Sequence, residues 1–522
     1  MKRNNFLQQA TDRTEPWDMI VIGGGATGIG IAMDAAVRGL SVLLLEQSDF
    51  GKGTSSRSTK LIHGGVRYLK QGNVSLVRDS LRERARLQQN APHLVTDLAF
   101  LVPCQSLWER LMYRVGFVIY DFLAGKSSFG KAKGVSKPDC NALVSTIRSE
   151  KMHRGGVVYH DGQFDDSRLL VHMAQTSSAH GGCLLNYTQV TKLVRDGQRV
   201  SGVEFIDLES ETKHTVNARC VINATGPFCD AIRQMDDPSA QSIIRPSQGV
   251  HVVLPREFLP GDTALIVPKT SDGRVLFLIP WHDHVVVGTT DTAIDDVPLE
   301  PTAQSDEVKF LLKTAADYLI KAPTADDVLS MFIGIRPLVS AGNSKSTKSL
   351  SRDHTIELSK NGLITITGGK WTTVRKMAED CVNRAIQEFG LSDNGKSTVD
   401  CAMHGAGPIQ DAAPALSIYG SEAPAIEALV AENIELGNPL HPALSIIGAQ
   451  VVWAVRNELA RTVEDVLARR TRALFLNVEA AIEMAPIVAK LMAKELGKDD
   501  QWQSSQVNNF NETAKHFQCP TT

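Results

Sequence analysis

The spacing Gly23-x-Gly25-x-x-Gly28, with Glu46 eighteen residues after the last glycine, has the most definite chemistry in this chain. In such a pattern the first glycine makes a turn, the second lets the backbone approach a pyrophosphate, and the third lets a helix pack close to a strand. The bare helix N-terminus then faces the phosphates, and the acid at the end of the next strand suits a ribose. A second set of reactive residues lies in Thr59–Leu69, where His63, Arg67 and Tyr68 sit beside Gly64 and Gly65. Glycines there let backbone come close to a flat ring. Gly368-Gly369-Lys370 then precedes Thr373 at the start of a helical pattern, a second glycine turn at a positive helix end. His251 stands inside the apolar run Gly249–Leu254, where its plain reading is a hydrogen-bonded core residue and its functional reading a proton carrier.

These residues need a framework. Met19–Ile22 reads as a buried parallel strand, the alanine-rich stretch after Gly28 as a tightly packed helix, and Ser41–Leu45 as the next strand, ended by Glu46. Asp49–Ser58 is a small, polar loop that should pass close to a bound dinucleotide, bringing Thr54, Ser55 and Ser56 with it. Val74–Asn90 is a charged amphipathic helix, and Pro92 lies beyond its end. From about 155 to 300 short strands dominate; Cys220–Asn223 runs into the small-residue turn Ala224-Thr225-Gly226-Pro227, and Val250–Leu254, Val275–Trp281 and Val285–Asp291 follow. A helix is expected over 304–322 and another over 373–389. Beyond about 395 the pattern turns helical, over 423–434, 443–470 and 478–496. Residues 1–16 read as a loose polar arm and 508–522 as frayed.

The chain has 522 residues, room for two or three domains. Its net charge of −3 offers no basic field for nucleic acid, and none is expected as a partner. Eight cysteines form no CxxC pair and no Cys/His cluster with metal spacing, so reduced thiols in a cytosolic protein and no metal are expected. No apolar run is long enough to span a bilayer. Leu107–Leu123, with Trp108, Phe117 and Phe122 beside Arg110 and Arg114, is either a core helix or one that lies in a membrane surface.

Taken together, the sequence resembles the FAD-dependent glycerol-3-phosphate dehydrogenases from residue 17 to about 380, in family order. The resemblance rests on the Gly23–Gly39 stretch with Asp34 and Arg38, on Thr54–Leu69, Ala91-Pro92-His93, Asn223–Pro227, Pro280-Trp281, Gly288-Thr-Thr-Asp291, Gly334-x-Arg336-Pro-Leu338, Arg352-Asp353 and Gly368–Lys376. Ile29 replaces a small residue and Val374 a usual Tyr, without loss of a phosphate ligand or proton carrier. The resemblance implies an α/β fold: a Rossmann-like FAD-binding domain of the two-dinucleotide flavoprotein type, an antiparallel-sheet substrate domain and a C-terminal helical domain. The expected division is 17–395, with cap segments at roughly 92–155 and 245–340, and 396–522.

The activity implied is oxidation of sn-glycerol 3-phosphate to dihydroxyacetone phosphate, with hydride passing from C2 to flavin N5 and electrons leaving to a membrane quinone. An oxidase using oxygen is the alternative, and an amine or amino-acid oxidase of the same fold the nearest rival. A dianionic substrate needs fixed cations, and the family places Arg67, Tyr68, Arg336 and Arg352 at the phosphate, with Lys370 beside them. His63 is the first choice of base, His251 the second, and Lys370 could polarise the hydroxyl. FAD is expected against Gly23, Gly25, Gly28, Glu46, Thr54, Ser55, Ser56, Thr225, Gly226, Gly369, Lys370 and Thr373. The expected location is the cytoplasm, peripherally on the inner face of the membrane, with a homodimer as the candidate assembly.

Overall fold

The computed structural model describes residues 1–65, 73–339, 354–407 and 413–520. The glycine motif sits where the sequence puts it, between strand Trp17–Ile22 and helix Ala26–Val37. That strand is central in a sheet ordered His354–Leu358, Leu363–Gly368, Thr212–Asn223, Trp17–Ile22, Val42–Leu45, Cys183–Leu185. Along this order all neighbours are parallel except the first pair, and strands Thr188–Asp196 and Arg199–Asp207 attach to Thr212–Asn223 in antiparallel fashion. Parallel strands covered on both faces require continuous apolar runs, and Met19, Ile20, Val21 and Leu43, Leu44 are fully buried. Helices Asp166–Ala179 and Val374–Phe389 pack beside Ala26–Val37 on one face, where small residues allow close approach.

The second sheet is mostly antiparallel. Its long strand Ile244–Pro255 pairs with His284–Gly288 on one side and Ser330–Val339 on the other. Leu276–Trp281, Ala264–Val267, Val95–Pro103 and Gly156–Phe164 extend it. Alternation along these strands divides their side chains between two cores. Val252, Leu254, Val285 and Val287 face helix Ser305–Ala316. Val253, Trp281, Val286 and Phe332 face the C-terminal helices, among them Val478–Leu496 and Asp500–Ala514.

The expected Rossmann-like sheet, antiparallel sheet and C-terminal helices are all present, and helix Val74–Asn90 has the expected bounds. Four expectations need correction. The first residues are no loose arm: Arg3–Thr11 is a helix, and Arg3 is buried with its guanidinium 2.5 Å from Asp207 and 3.0 Å from the Asn186 carbonyl. Its apolar face is only Phe6, Leu7 and Ala10, too short a stripe to stand out among polar residues, and Arg3 adds ion pairs to the distant Asp207 and Glu209. The segment 443–470 is not one helix. It contains strand Leu444–Ile447, helix Gly448–Asn457, Leu459 at a φ of +57°, and the π-helical turn Asp465–Arg470. Residues 508–517 are ordered, with Phe510, Ala514 and Phe517 buried. The helix expected over 304–322 ends at Ala316.

Candidate active site

A cavity of about 610 Å³ runs between the two sheets, within the roughly 300–1,000 Å³ usual for small-molecule and cofactor sites. One end is the glycine cradle. Gly23 has a φ of +107°, and a Cβ there would lie 2.8 Å from the Ala224 carbonyl oxygen. Gly25 caps helix Ala26–Val37 without a side-chain hydrogen bond, so Gly25, Ala26 and Thr27 present the helix end to the cavity. The Ala26 N–H donates to Ser55 Oγ at 2.9 Å. Gly28 does not line the wall. A Cβ on it would meet the Gly23 carbonyl oxygen at 1.9 Å, so its work is to seat helix on strand.

Glu46 lies on the wall at the end of its strand, accepting from the N–H of Gly24 at 2.6 Å and of Ser48 at 2.8 Å. Burial pushes its carboxyl up and these two bonds pull it back. Thr54, Ser55, Thr225 and Gly226 also line the cavity; Thr54 Oγ donates to the Ile335 carbonyl at 2.6 Å, which ties the loop to the second sheet. Ser56 is buried behind the wall, its carbonyl accepting from Lys60 Nζ at 2.7 Å and Arg472 at 2.8 Å.

At the far end the two sheets bring His63, His251, Arg336, Gly369 and Lys370 to one wall. Gly368 and Gly369 both have φ near +80°, the turn that aims the start of the following helix at the cavity. Thr372 lines the wall and Thr373 does not: Thr373 Oγ donates back to the Lys370 carbonyl at 3.2 Å. Thr372 Oγ accepts from the His63 N–H at 3.2 Å and donates to its carbonyl at 3.2 Å, pinning His63 to this turn. Arg67, Tyr68 and Arg352 lie outside the described residues.

His251 is buried in the middle of strand Ile244–Pro255, its Nε2 2.9 Å from Thr59 Oγ and its ring stacked on Phe332 at 4.6 Å. Burial, then the positive charges of Lys60 and Arg336, hold its imidazole well below its ordinary titration range, so it is neutral at pH 7. Arg336 comes from strand Ser330–Val339 and donates to the Thr290 carbonyl at 3.0 Å and Asp291 at 3.2 Å. Among the described wall residues the one carboxylate is Glu46, at the opposite end, while Arg336 and Lys370 stand at this one. The potential there favours an anion.

Three residues escaped the sequence reading: Thr59, Thr372 and Lys60. The hydroxyls stand next to residues that were singled out, so the Ser/Thr-rich run was their signal. Lys60 carried none. It is fully buried, with Nζ 2.7 Å from Asp166 and 4.8 Å from the Phe332 ring centroid.

Glycines whose Cβ positions are filled, a helix end capped by glycine, a strand-end carboxylate and a second glycine turn along one elongated cavity fit a dinucleotide such as FAD.

Comparison with known proteins bears on this site. Residues 18–375 match the family described as FAD dependent oxidoreductase, and residues 363–503 match the C-terminal domain of alpha-glycerophosphate oxidase. The chain is 40% identical to the mitochondrial glycerol-3-phosphate dehydrogenase of Macaca fascicularis, over 97% of this chain and 73% of the relative. It is 39% identical to the mitochondrial glycerol-3-phosphate dehydrogenase SDP6 of Arabidopsis thaliana, over 97% and 87%. Its fold is similar to a crystal structure of the glycerol-3-phosphate dehydrogenase from Bacillus halodurans complexed with FAD. That likeness has a TM-score of 0.82 and 29% identity, and covers 100% of this chain and 98% of the other.

Proposed function

The chain belongs to the FAD-dependent glycerol-3-phosphate dehydrogenase family, and on that premise we propose which of its residues carry the reaction and where its electrons go. The enzyme oxidises sn-glycerol 3-phosphate to dihydroxyacetone phosphate. FAD, when bound, supplies the acceptor for the C2 hydride. The observation that carries the residue assignment is the meeting of His63, His251, Arg336 and Lys370 at one end of a cavity whose other end is the glycine cradle and Glu46.

Arg336 grips the substrate phosphate through its planar fork, and Lys370, at the positive end of its helix, faces the same space. Arg67, Tyr68 and Arg352 are assigned to the phosphate by the resemblance alone. The sequence ranks His63 ahead of His251 as proton acceptor; the neutral, hydroxyl-held imidazole of His251 favours the reverse order. An arriving phosphate dianion offsets the charge of Arg336 and raises the basicity of His251 at the moment a base is needed. His63, fixed to the turn by Thr372, is the second reading. Gly23, Gly25, Glu46, Thr54, Ser55, Thr225, Gly226 and Gly369 hold FAD, with Gly28 acting through packing and Ser56 and Thr373 from behind the wall.

No helix among the described residues is long and apolar enough to cross a membrane. Helix Leu107–Ala124 has one face buried through Phe117 and Tyr120 and leaves the other open, with Trp108 72% and Phe122 83% exposed. An exposed apolar stripe of this length supports peripheral attachment to a membrane; the inner face and a membrane quinone as electron acceptor rest on the resemblance alone. The division into 17–395 and a helical unit from 396 is part of the same proposal.

The test is anaerobic. Substrate is added to FAD-loaded protein and absorbance is followed at about 450 nm, where an oxidised flavin absorbs. Bleaching reversed by a quinone analogue and only slowly by air supports the dehydrogenase with a quinone acceptor. Fast recovery in air makes oxygen the acceptor. His251→Asn and His63→Asn variants, compared over pH, assign the base.

A further inference from the structure

We infer that Lys60 is a positioning residue for His251: its buried side chain holds the Thr59–His251 pair in place and, on the acid side of neutrality, keeps a positive charge behind the imidazole. The inference rests on reading His251 as a working imidazole of the cavity.

The local structure is unusual for a lysine. Lys60 has a φ of +64°, in the left-handed region that L-residues avoid, and it is completely buried. Its Nζ donates to the Ser56 carbonyl and to Asp166 Oδ2, both at 2.7 Å. Three rings complete a cage, with centroids of Phe332, Trp281 and Phe475 at 4.8, 5.1 and 5.2 Å from Nζ. The rings come from two strands of the second sheet and from the C-terminal region, while Asp166 begins a helix of the first layer. A side chain that merely filled this space would be cheaper as a methionine or leucine, because a buried ion pair gains little over apolar packing. The charge therefore asks for a use.

Phe332 links that charge to the site. It pairs across the strands with His251, and the two rings stack at 4.6 Å with only 10° between their planes. Lys60 stands over the same phenyl ring, and the residue before it in sequence, Thr59, makes the hydrogen bond to His251 Nε2. The charged groups facing His251 are Lys60 and Arg336, both positive. Arg336 is paired with Asp291; Lys60 is paired with Asp166, which Arg472 also holds, with Asp165 behind. Substrate phosphate covers the charge of Arg336. It leaves that of Lys60, which is thus the part of the field that substrate does not cover. Burial lowers the Lys60 ammonium to about 7, against the pull of Asp166, so the charge is full on the acid side, where His251 would take up a proton.

The test uses the FAD-loaded enzyme with ¹³Cε1-labelled histidines, the His251 signal being the one lost in His251→Asn. Lys60→Gln should move the His251 titration upward by roughly half to one pH unit, and Lys60→Arg should leave it in place. The acid limb of kcat/KM for anaerobic flavin reduction should move with it. A folded Lys60→Gln protein whose His251 titration and acid limb both match the wild type overturns the inference. If that variant does not fold, Lys60→Met removes the ammonium, keeps apolar packing among the three rings and leaves Asp166 paired with Arg472; an upward shift supports the inference, and none overturns it. Survival of the acid limb in His251→Asn removes His251 as the base, while the NMR titration still decides the role of Lys60.

Discussion

Replacing Gly288 by alanine tests whether the placement of His251 governs the reaction. Gly288 does not line the cavity, and it lies directly across from His251 in the neighbouring strand. A Cβ on it would come 2.1 Å from His251 Cδ2 and 2.8 Å from Nε2. Ordinary contact begins at about 3.4 Å, so the ring must retreat by roughly 1.3 Å. It cannot retreat toward Phe332, on the strand at the other side, which it already touches face to face. The remaining direction breaks the 2.9 Å hydrogen bond to Thr59. A misplacement of about 1 Å at a reacting group costs about 100-fold in rate, and overpacking of this kind costs about 1–3 kcal/mol of stability. We therefore expect Gly288→Ala to retain FAD, to melt a few degrees lower, and to reduce its flavin about 100-fold more slowly under anaerobic substrate. Stopped-flow absorbance gives the rate constant, and the flavin-to-protein absorbance ratio gives occupancy. A fully loaded variant that is reduced within twofold of the wild-type rate would refute the placement argument.

Gly28→Ala drives a Cβ to 1.9 Å from the Gly23 carbonyl oxygen and should give protein purified with little FAD, read from its visible spectrum. Arg336→Gln removes charge-assisted hydrogen bonds worth about 1.5–3 kcal/mol and should raise KM for sn-glycerol 3-phosphate about 10- to 100-fold, with a smaller change in kcat. Trp108→Ser with Phe122→Ser should reduce co-sedimentation with lipid vesicles and leave anaerobic bleaching unchanged; unchanged partition would remove helix Leu107–Ala124 from the membrane reading. His93, 2.9 Å from His172, is held neutral by burial and then by Arg168, its imidazole lowered to about 4 from 6.5. The unfolded chain binds this proton first, so the contribution is present above pH 6.5 and is lost as pH falls toward 4, by about 3 kcal/mol at most. Urea melts of His93→Gln should show a shallower loss of stability over that window.

What the sequence revealed was set by local backbone demands. Gly23 and Gly28 are legible because only glycine tolerates the turn and the close contacts there, Gly25 because it caps the helix beside them, and Glu46 because it ends the next strand. Helix Val74–Asn90 is legible because Val77, Leu81 and Leu87 recur at helical spacing, although Ser80, Glu83 and Arg84 are buried on the same face. The exposed face of Leu107–Ala124 was legible as composition only, since apolar spacing at helical period does not say which side meets the protein. Arg3 and Lys60 were hidden for a different reason. A buried cation and a solvated one are the same letter, and the partners that permit burial, Asp207 and Asp166, lie far along the chain.

The same blindness covers the run Arg469-Arg470-Thr471-Arg472, which in sequence looks like a solvated basic patch in a helical tail. In the fold all three arginines are buried. Arg469 and Arg470 both bind Asp49, at the start of the loop that carries Thr54 and Ser55 to the cavity wall. Arg472 binds Asp166 and the Ser56 carbonyl, the two groups that also hold Lys60. Arg168, two residues after Asp166, reaches back to Glu458 and to the Arg470 carbonyl. Removing one partner from such a network strands a buried charge, at a cost of about 3–5 kcal/mol. Residues 458–472 are thus bonded to the rear of the loop whose front lines the cavity. A helical region that sequence pattern alone sets apart from the nucleotide fold is, by these bonds, part of what shapes the wall on which Thr54, Ser55 and Thr59 stand.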